Sequence, residues 1–390
     1  MSSMTINLPD ENGRPSAYTL KAAPLEAPRG PHSFNRTVFS AAHVVADPFA
    51  AREPGVGPAI DWDATIAYRR HILDLGLGIA EAMDTAQRGM GLDWSGALEL
   101  IRRSLDAAGP DERDRIFSGA GTDHLAPADA QSLDDVVAAY LEQLNAVQGL
   151  NGRVILMASR ALAQVAGGPT DYESVYARVL AEADKPVILH WLGDMFDPAL
   201  HGYWGSATFE PALETTLSVI AANPSKVDGI KISLLDDEKE VRMRRRLPEG
   251  VKMYTGDDFN YPALIKGDDQ GHSHALLGIF DAIAPAASAA LTALAQEDIE
   301  SYDRILDPTV PLSRLIFRAP TQYYKTGVVF LAYLNGFQDH FVMIGGAQAM
   351  RPLPYFTGLF RMADSAGLLR DPGLALARMR RFLALYGFEG

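Results

Sequence analysis

Val227-Asp228-Gly229-Ile230-Lys231-Ile232-Ser233 sets a lysine among apolar neighbours at what reads as the end of a short buried strand. A buried ammonium is costly unless it is paired or its pKa falls. An amine with a lowered pKa is also what a Schiff-base enzyme requires. Alone, the stretch reads more simply as a lysine whose stem snorkels from a strand end to water. What surrounds it along the chain decides between the two. A second apolar run and a turn follow, as Met253-Tyr254-Thr255-Gly256-Asp257-Asp258.

Working outward, short β-branched and aromatic runs alternate with helix-like segments. Strands are expected over Arg36 to Val45, Leu77 to Met83, Arg115 to Ala120, Arg153 to Ala158 and Pro186 to Trp191. Further strands are expected up to Lys231, over Val251 to Thr255, and near Ala275 to Ile279. Between them, helices are expected from Asp61 to Asp74, Asp93 to Ala108, Ser132 to Gln148, Tyr172 to Glu182 and Pro211 to Ala222. Ser132 acts as a cap, with Asp134 and Asp135 in the first turn. Eight strands alternating with helices point to an α/β chain built as a (β/α)8 TIM barrel. A doubly wound open sheet is the other candidate, but Gly76-Leu77-Gly78 is too short for a nucleotide fingerprint and precedes its strand. The expected organisation is an extended N-terminal arm (1–30), the barrel (31–285), and a C-terminal helical extension packed on it (286–390). That extension includes helical stretches from Tyr323 to Gly336 and from Met362 to Tyr386.

Composition narrows the function. The 390 residues are 47% hydrophobic and 22% charged, an ordinary globular balance. There is no cysteine, which excludes disulfides, thiolate catalysis and cysteine-ligated metal sites. A formal net charge of −14 argues against a nucleic-acid partner, whose binding surface would be basic. The exception, Arg242-Met243-Arg244-Arg245-Arg246, follows Asp236, Asp237, Glu238 and Glu240 and reads as a solvated helix with internal ion pairs. No apolar run is long enough to span a membrane, and the polar start lacks the apolar centre of a signal peptide. The expectation is a soluble cytoplasmic protein with no membrane partner.

In a barrel of this kind the chemistry sits at the C-terminal ends of the strands. The polar residues expected there are Ser40 and His43, then Glu81, Asp84, Thr85 and Gln87, and then Ser118, Thr122, Asp123 and His124. Ser159 and Arg160, His190, Lys231, Asp257 with Asp258, and finally Gln270, His272 and His274 complete the set. Such a mixed-charge pocket suits a small oxygenated substrate. Each residue has a structural alternative. Glu81 and Asp84 suit a helix cap, and Asp257-Asp258 suits the N-terminus of a helix opening at Tyr261-Pro262. The alternating His272 and His274 could bind a metal, although two ligands alone are a weak signal. His190 follows the run Val187-Ile188-Leu189, which aims it at the barrel mouth, where an imidazole can shuttle protons.

From about Arg36 to Ala282, the order of these motifs resembles the dihydrodipicolinate synthase and N-acetylneuraminate lyase superfamily of class I aldolases. More closely, the chain resembles a divergent, functionally uncharacterised branch of it. Val227-Asp228-Gly229-Ile230-Lys231 is similar to that family's sixth-strand motif, which carries the Schiff-base lysine. Tyr254-Thr255-Gly256-Asp257-Asp258 is similar to its seventh-strand turn, and Gly119-Ala120-Gly121-Thr122 to its third-strand end. The resemblance implies a TIM barrel, a lyase with no organic cofactor, and homodimers or homotetramers. Two positions depart from it. The second-strand loop, which in the family binds a keto-acid carboxylate through hydroxyls and backbone N–H groups, is matched here by Glu81-Ala82-Met83-Asp84-Thr85-Ala86-Gln87. Two acidic side chains there would repel a carboxylate. The fifth-strand tyrosine, which relays protons in the family, is matched by His190.

These observations lead to a Schiff-base lyase, an aldolase or dehydratase, whose small carbonyl substrate is a keto sugar or derivative in preference to pyruvate. Lys231 and His190 are its expected catalytic pair, and Glu81, Asp84, Thr85, Gly121, Asp257 and His272 its expected substrate contacts. A metal-dependent sugar isomerase, epimerase or class II aldolase is the alternative, with Glu81, Asp84, His190 and His274 as ligands of a divalent metal. A third reading is a non-catalytic sugar-binding protein on the same scaffold.

Overall fold

The structure, a computed structural model, describes residues 4–10, 12–28, 30, 32–53 and 56–388. By its contacts the chain divides into two units. One comprises residues 36–42 and 78–278, the other the described residues of 1–35, 43–77 and 279–390.

The first unit holds a closed, all-parallel barrel of eight strands. They are β1 (Val38–Ala41), β2 (Gly78–Glu81), β3 (Ile116–Ala120), β4 (Arg153–Leu156), β5 (Val187–Leu192), β6 (Val227–Ser233), β7 (Lys252–Thr255) and β8 (His274–Leu277). Each pairs with the next, and β8 closes on β1 with Leu276 opposite Phe39. The strands are short and apolar because a parallel barrel strand is covered on both faces. One face of seven of them fills the lumen with Phe39, Ala80, Phe117, Ile155, Ile188, Tyr254 and Leu276. Phe39 and Phe117 meet edge to face, with ring centroids 5.0 Å apart.

Helices follow the strands, and several of them start where a side chain takes up an open N–H group of the first turn. Leu133–Gly149 begins with a capping box in which Ser132 accepts from the Asp135 N–H while Asp135 accepts in return. Asp93 caps Trp94–Ala107 and Asp236 caps Asp237–Arg244. The helix expected from Tyr172 starts earlier, at Pro169, whose fixed φ suits a first helical position. The unit also holds helices Phe209–Ala222 and Tyr261–Lys266. The arginine cluster is ion-paired, but not within its own helix as expected. Arg246 pairs with Glu214 of Phe209–Ala222 at 2.6 Å, and Arg244, largely buried, pairs with Asp268 beyond Tyr261–Lys266 at 2.7 Å, because neighbouring elements bring carboxylates to the arginine face.

The second unit is mainly helical. Its N-terminal strands, Thr5–Pro9 and Pro15–Thr19, form an antiparallel hairpin in which Thr5 faces Thr19. Tyr18 Oη donates to Asp364 Oδ2 at 2.7 Å, and the N–H of Lys21 donates to the same oxygen at 3.0 Å. The helical stretch expected from Met362 to Tyr386 is covered by two helices, Leu353–Ser365 and Pro372–Leu385. Pro372 opens the second, which Asp371 caps. Phe330, Phe356 and Phe382 form the aromatic centre of these helices, with ring centroids 4.8 to 4.9 Å apart. Among the described residues no helix is long and apolar enough to cross a membrane.

Candidate active site

The decisive strand is β6. Lys231 lies opposite His190 of β5 and Tyr254 of β7. Since Ile188 and Tyr254 fill the lumen, the period-two alternation of strands turns His190, Lys231 and Ser233 inward as well. The first half of the motif builds the floor beneath the lysine. Asp228 accepts from Tyr254 Oη at 2.6 Å and from Lys252 Nζ at 2.9 Å. Gly229 makes room for the same ring, since a Cβ there would lie 2.6 Å from Tyr254 Cε2.

Lys231 is buried, and burial pushes its pKa from 10.5 down to about 8 although the Asp258 and Asp84 carboxylates pull it up. Among the described residues its Nζ has no hydrogen-bond or ion-pair partner. His190 beside it is also buried. Burial, reinforced by the lysine charge, holds its pKa well below the ordinary histidine value, so the imidazole is neutral. His190 Nε2 lies 3.3 Å from Ser233 Oγ. Gly256 completes the arrangement. A Cβ on it would come within 2.2 Å of Ser233 Oγ and 2.8 Å of Lys231 Cε, so both side chains occupy the space that this glycine leaves.

The two aspartates that follow Gly256 have different places. The Asp257 carboxylate accepts from the N–H groups of Phe259 and Asn260, at 2.8 and 3.0 Å, and from Asn260 Nδ2 at 2.9 Å. It therefore orders the turn into helix Tyr261–Lys266, the alternative foreseen from sequence, and is occupied within its own loop. Asp258 is buried and is the nearer in effect of the two carboxylates acting on Lys231. Asp84 opens the turn Asp84–Ala86, with Thr85 buried beside it. Gly121 N–H donates to Gln143 Oε1 at 2.7 Å, so that backbone donor is already taken.

Two expected contacts need correction. Glu81 is fully buried, but with Ala80 facing the lumen it points outward. Its Oε2 accepts from Ser104 Oγ of helix Trp94–Ala107 at 2.6 Å, and its Oε1 from the Ala82 N–H at 2.8 Å. His272 and His274 stand where β8 begins, not where it ends. His274 Nδ1 accepts from the Thr37 N–H at 2.9 Å, and burial pushes its pKa down to about 4. The ligand set Glu81, Asp84, His190 and His274 therefore does not converge on a point. No cluster of three or more metal-ligating side chains occurs among the described residues.

Sequence reading missed the clamp around Arg88. Its guanidinium meets Asp123 with two hydrogen bonds of 2.7 Å, donates to Gln143 Oε1 at 2.7 Å, and reaches the carbonyls of Ala82 and Gly119 at 3.2 Å. This fork ties the loop after β2 to the loop after β3. Burial opposes ionisation of Asp123, but Arg88 overcomes it and holds the carboxyl below its usual value. Glu240, also missed, is buried behind β7. Its Oε1 accepts from Ser273 Oγ at 2.7 Å, and burial pushes its pKa up to about 8.

A closed barrel with a lumen-facing lysine on β6 and a Gly-Asp-Asp turn after β7 defines a (β/α)8 barrel with the dihydrodipicolinate synthase fold. Residues 6–388 match the family described as "Protein of unknown function (DUF993)", and the chain belongs to that family. Dihydrodipicolinate synthase from Cyanidioschyzon merolae, with lysine bound, superposes with a TM-score of 0.64 at 17% identity, over 87% of this chain and 100% of that one. The Aquifex aeolicus synthase gives 0.63 at 12% identity over 86% and 99%. The Bacillus anthracis synthase gives 0.60 at 15% over 84% and 97%. At such identities the likeness is one of fold. No curated protein matches the sequence.

Proposed function

We propose that this protein is a Schiff-base-forming lyase, an aldolase or dehydratase, acting on a small neutral carbonyl compound such as a keto sugar or its derivative. The observation that carries the reading is Lys231, a buried amine facing the lumen with a pKa of about 8 and a neutral imidazole at its side. At pH 7 about a tenth of such an amine is unprotonated, far more than for an ordinary lysine. The amine attacks the carbonyl carbon and a C–N bond forms. The two protons that the ammonium gives up leave on the departing oxygen as water, with His190 as their carrier. The iminium then accepts the electron pair released when a C–C or C–H bond at the adjacent carbon breaks. Asp84 and Asp258 favour a polyol over a keto acid, because carboxylates accept from hydroxyls and repel a second carboxylate.

Borohydride reduction in the presence of keto sugars and 2-keto acids, followed by peptide mass analysis, tests this reading. The expected product is an adduct on Lys231 with a keto sugar and none with pyruvate. Turnover of a substrate that never leaves an adduct would refute the covalent mechanism.

A further inference from the structure

The mainly helical unit holds a cavity of about 450 Å³ lined by its own residues alone. Its size is that of a small-molecule pocket, and such pockets pair an apolar wall with a few converging polar groups. Here the apolar wall includes Leu25, Leu331 and Leu368. One side is formed by the N-terminal segment, held where the Leu25 N–H donates to the Gly367 carbonyl at 2.8 Å.

The polar groups are unevenly satisfied. Arg370 is exposed, and its guanidinium stacks over the Phe337 ring at 4.9 Å without a carboxylate partner among the described residues. The Arg370 backbone N–H donates to Asn335 Oδ1 at 3.0 Å, which fixes the amide so that its Nδ2 is the remaining donor. His71 Nε2 is buried with no hydrogen-bond partner, a polar atom still to be matched. Burial, and then the Arg370 charge, push the His71 pKa down to about 4, so the ring adds no positive charge near neutral pH. Asp281, also in the wall, is engaged: it accepts from Tyr68 Oη at 2.9 Å and from the His43 N–H at 2.6 Å. Glu26 stands exposed at the rim.

We propose that this cavity is a binding site for a small monocarboxylate with a compact apolar body, its carboxylate held by Arg370 and Asn335 and its body against Leu25, Leu331 and Leu368. One planar guanidinium matches one carboxylate in a two-pronged contact. A dianion such as phosphate would bring a second charge towards Asp281 and Glu26 with no second cation to meet it.

Isothermal titration calorimetry on the full chain tests the site, with benzoate as probe, benzamide as its neutral counterpart, and inorganic phosphate. Benzoate is expected to bind at least tenfold more tightly than benzamide. Arg370→Gln, on an exposed side chain, is expected to weaken benzoate at least tenfold and leave benzamide unchanged. His71→Phe, which fills the wall next to Phe337, is expected to weaken both probes. Equal benzoate affinity in wild type and Arg370→Gln would overturn the proposal. So would phosphate binding that depends on Arg370 without any benzoate binding, or no benzoate heat at 20 mM.

Discussion

Lys231→Met is expected to make the protein more stable at neutral pH while abolishing adduct formation. The native lysine has its pKa lowered from 10.5 to about 8 by burial. Between those two pH values the unfolded chain binds a proton that the native state has given up, so native stability rises with pH through that window. Below pH 8 the full penalty, about 3 kcal/mol, is present, and above 10.5 it is gone. Methionine has a similar length and no charge, so it keeps the packing and removes the penalty. It also removes the attraction between the ammonium and the Asp84 and Asp258 carboxylates, which offsets part of the gain. A net stabilisation of about 2 kcal/mol at pH 7 would raise the melting temperature of a chain this long by about 2–3 °C. Scanning calorimetry of wild type and variant at pH 7 and at pH 10 would measure it. The gain should be present at pH 7 and mostly lost at pH 10. A variant that melts below wild type at pH 7, or a gain of equal size at both pH values, would show that Lys231 carries no burial penalty and remove the basis for its reactivity.

Gly256→Ala places a methyl within 2.2 Å of Ser233 Oγ and 2.8 Å of Lys231 Cε. It is expected to destabilise by about 1–3 kcal/mol and to slow borohydride trapping, and wild-type trapping rates would exclude that crowding. Glu81→Gln should leave trapping and substrate affinity unchanged, because the side chain meets Ser104 outside the lumen, and should lower stability by about 1–2 kcal/mol in urea titrations. A large change in KM would return Glu81 to the substrate contacts. His190→Asn is expected to reduce kcat by about 10²–10⁴-fold while the adduct on Lys231 still forms. Unchanged kcat would take His190 out of the proton transfers.

The strands were legible because a barrel strand buried on both faces is an uninterrupted apolar run. Val187-Ile188-Leu189 and Val227 to Ser233 fall within β5 and β6 as observed. The direction of side chains was less legible, since at the end of a short strand one residue separates a lumen position from a helix-facing one. Glu81 follows lumen-facing Ala80 and so turns to Ser104. His272 and His274 were assigned to the wrong end of their strand, because β8 begins at His274. Arg88 gave no signal at all. It stands alone in a loop with no periodicity, and its partners Asp123 and Gln143 lie 35 and 55 residues further along the chain. Only the closure of the barrel brings them together.

The balance of forces on Lys231 bears on what it can bind. Two carboxylates, Asp258 and Asp84, act to raise its pKa, yet burial prevails. A carboxylate within about 4–6 Å that paired directly with the ammonium would raise the pKa by about 1–3 and remove the nucleophile near neutral pH. The site thus keeps its acids near the amine but not in contact with it. A keto acid would bring a third carboxylate into that balance, favouring the protonated amine just when attack is needed. A neutral polyol does the opposite, excluding water and occupying the acids with its hydroxyls. It lowers the pKa of the amine further on binding. The floor beneath would act in the same direction, since Asp228 is matched by Lys252 and Tyr254. On the proposed function, activation of the lysine and a preference for an uncharged substrate would come from the same arrangement of residues.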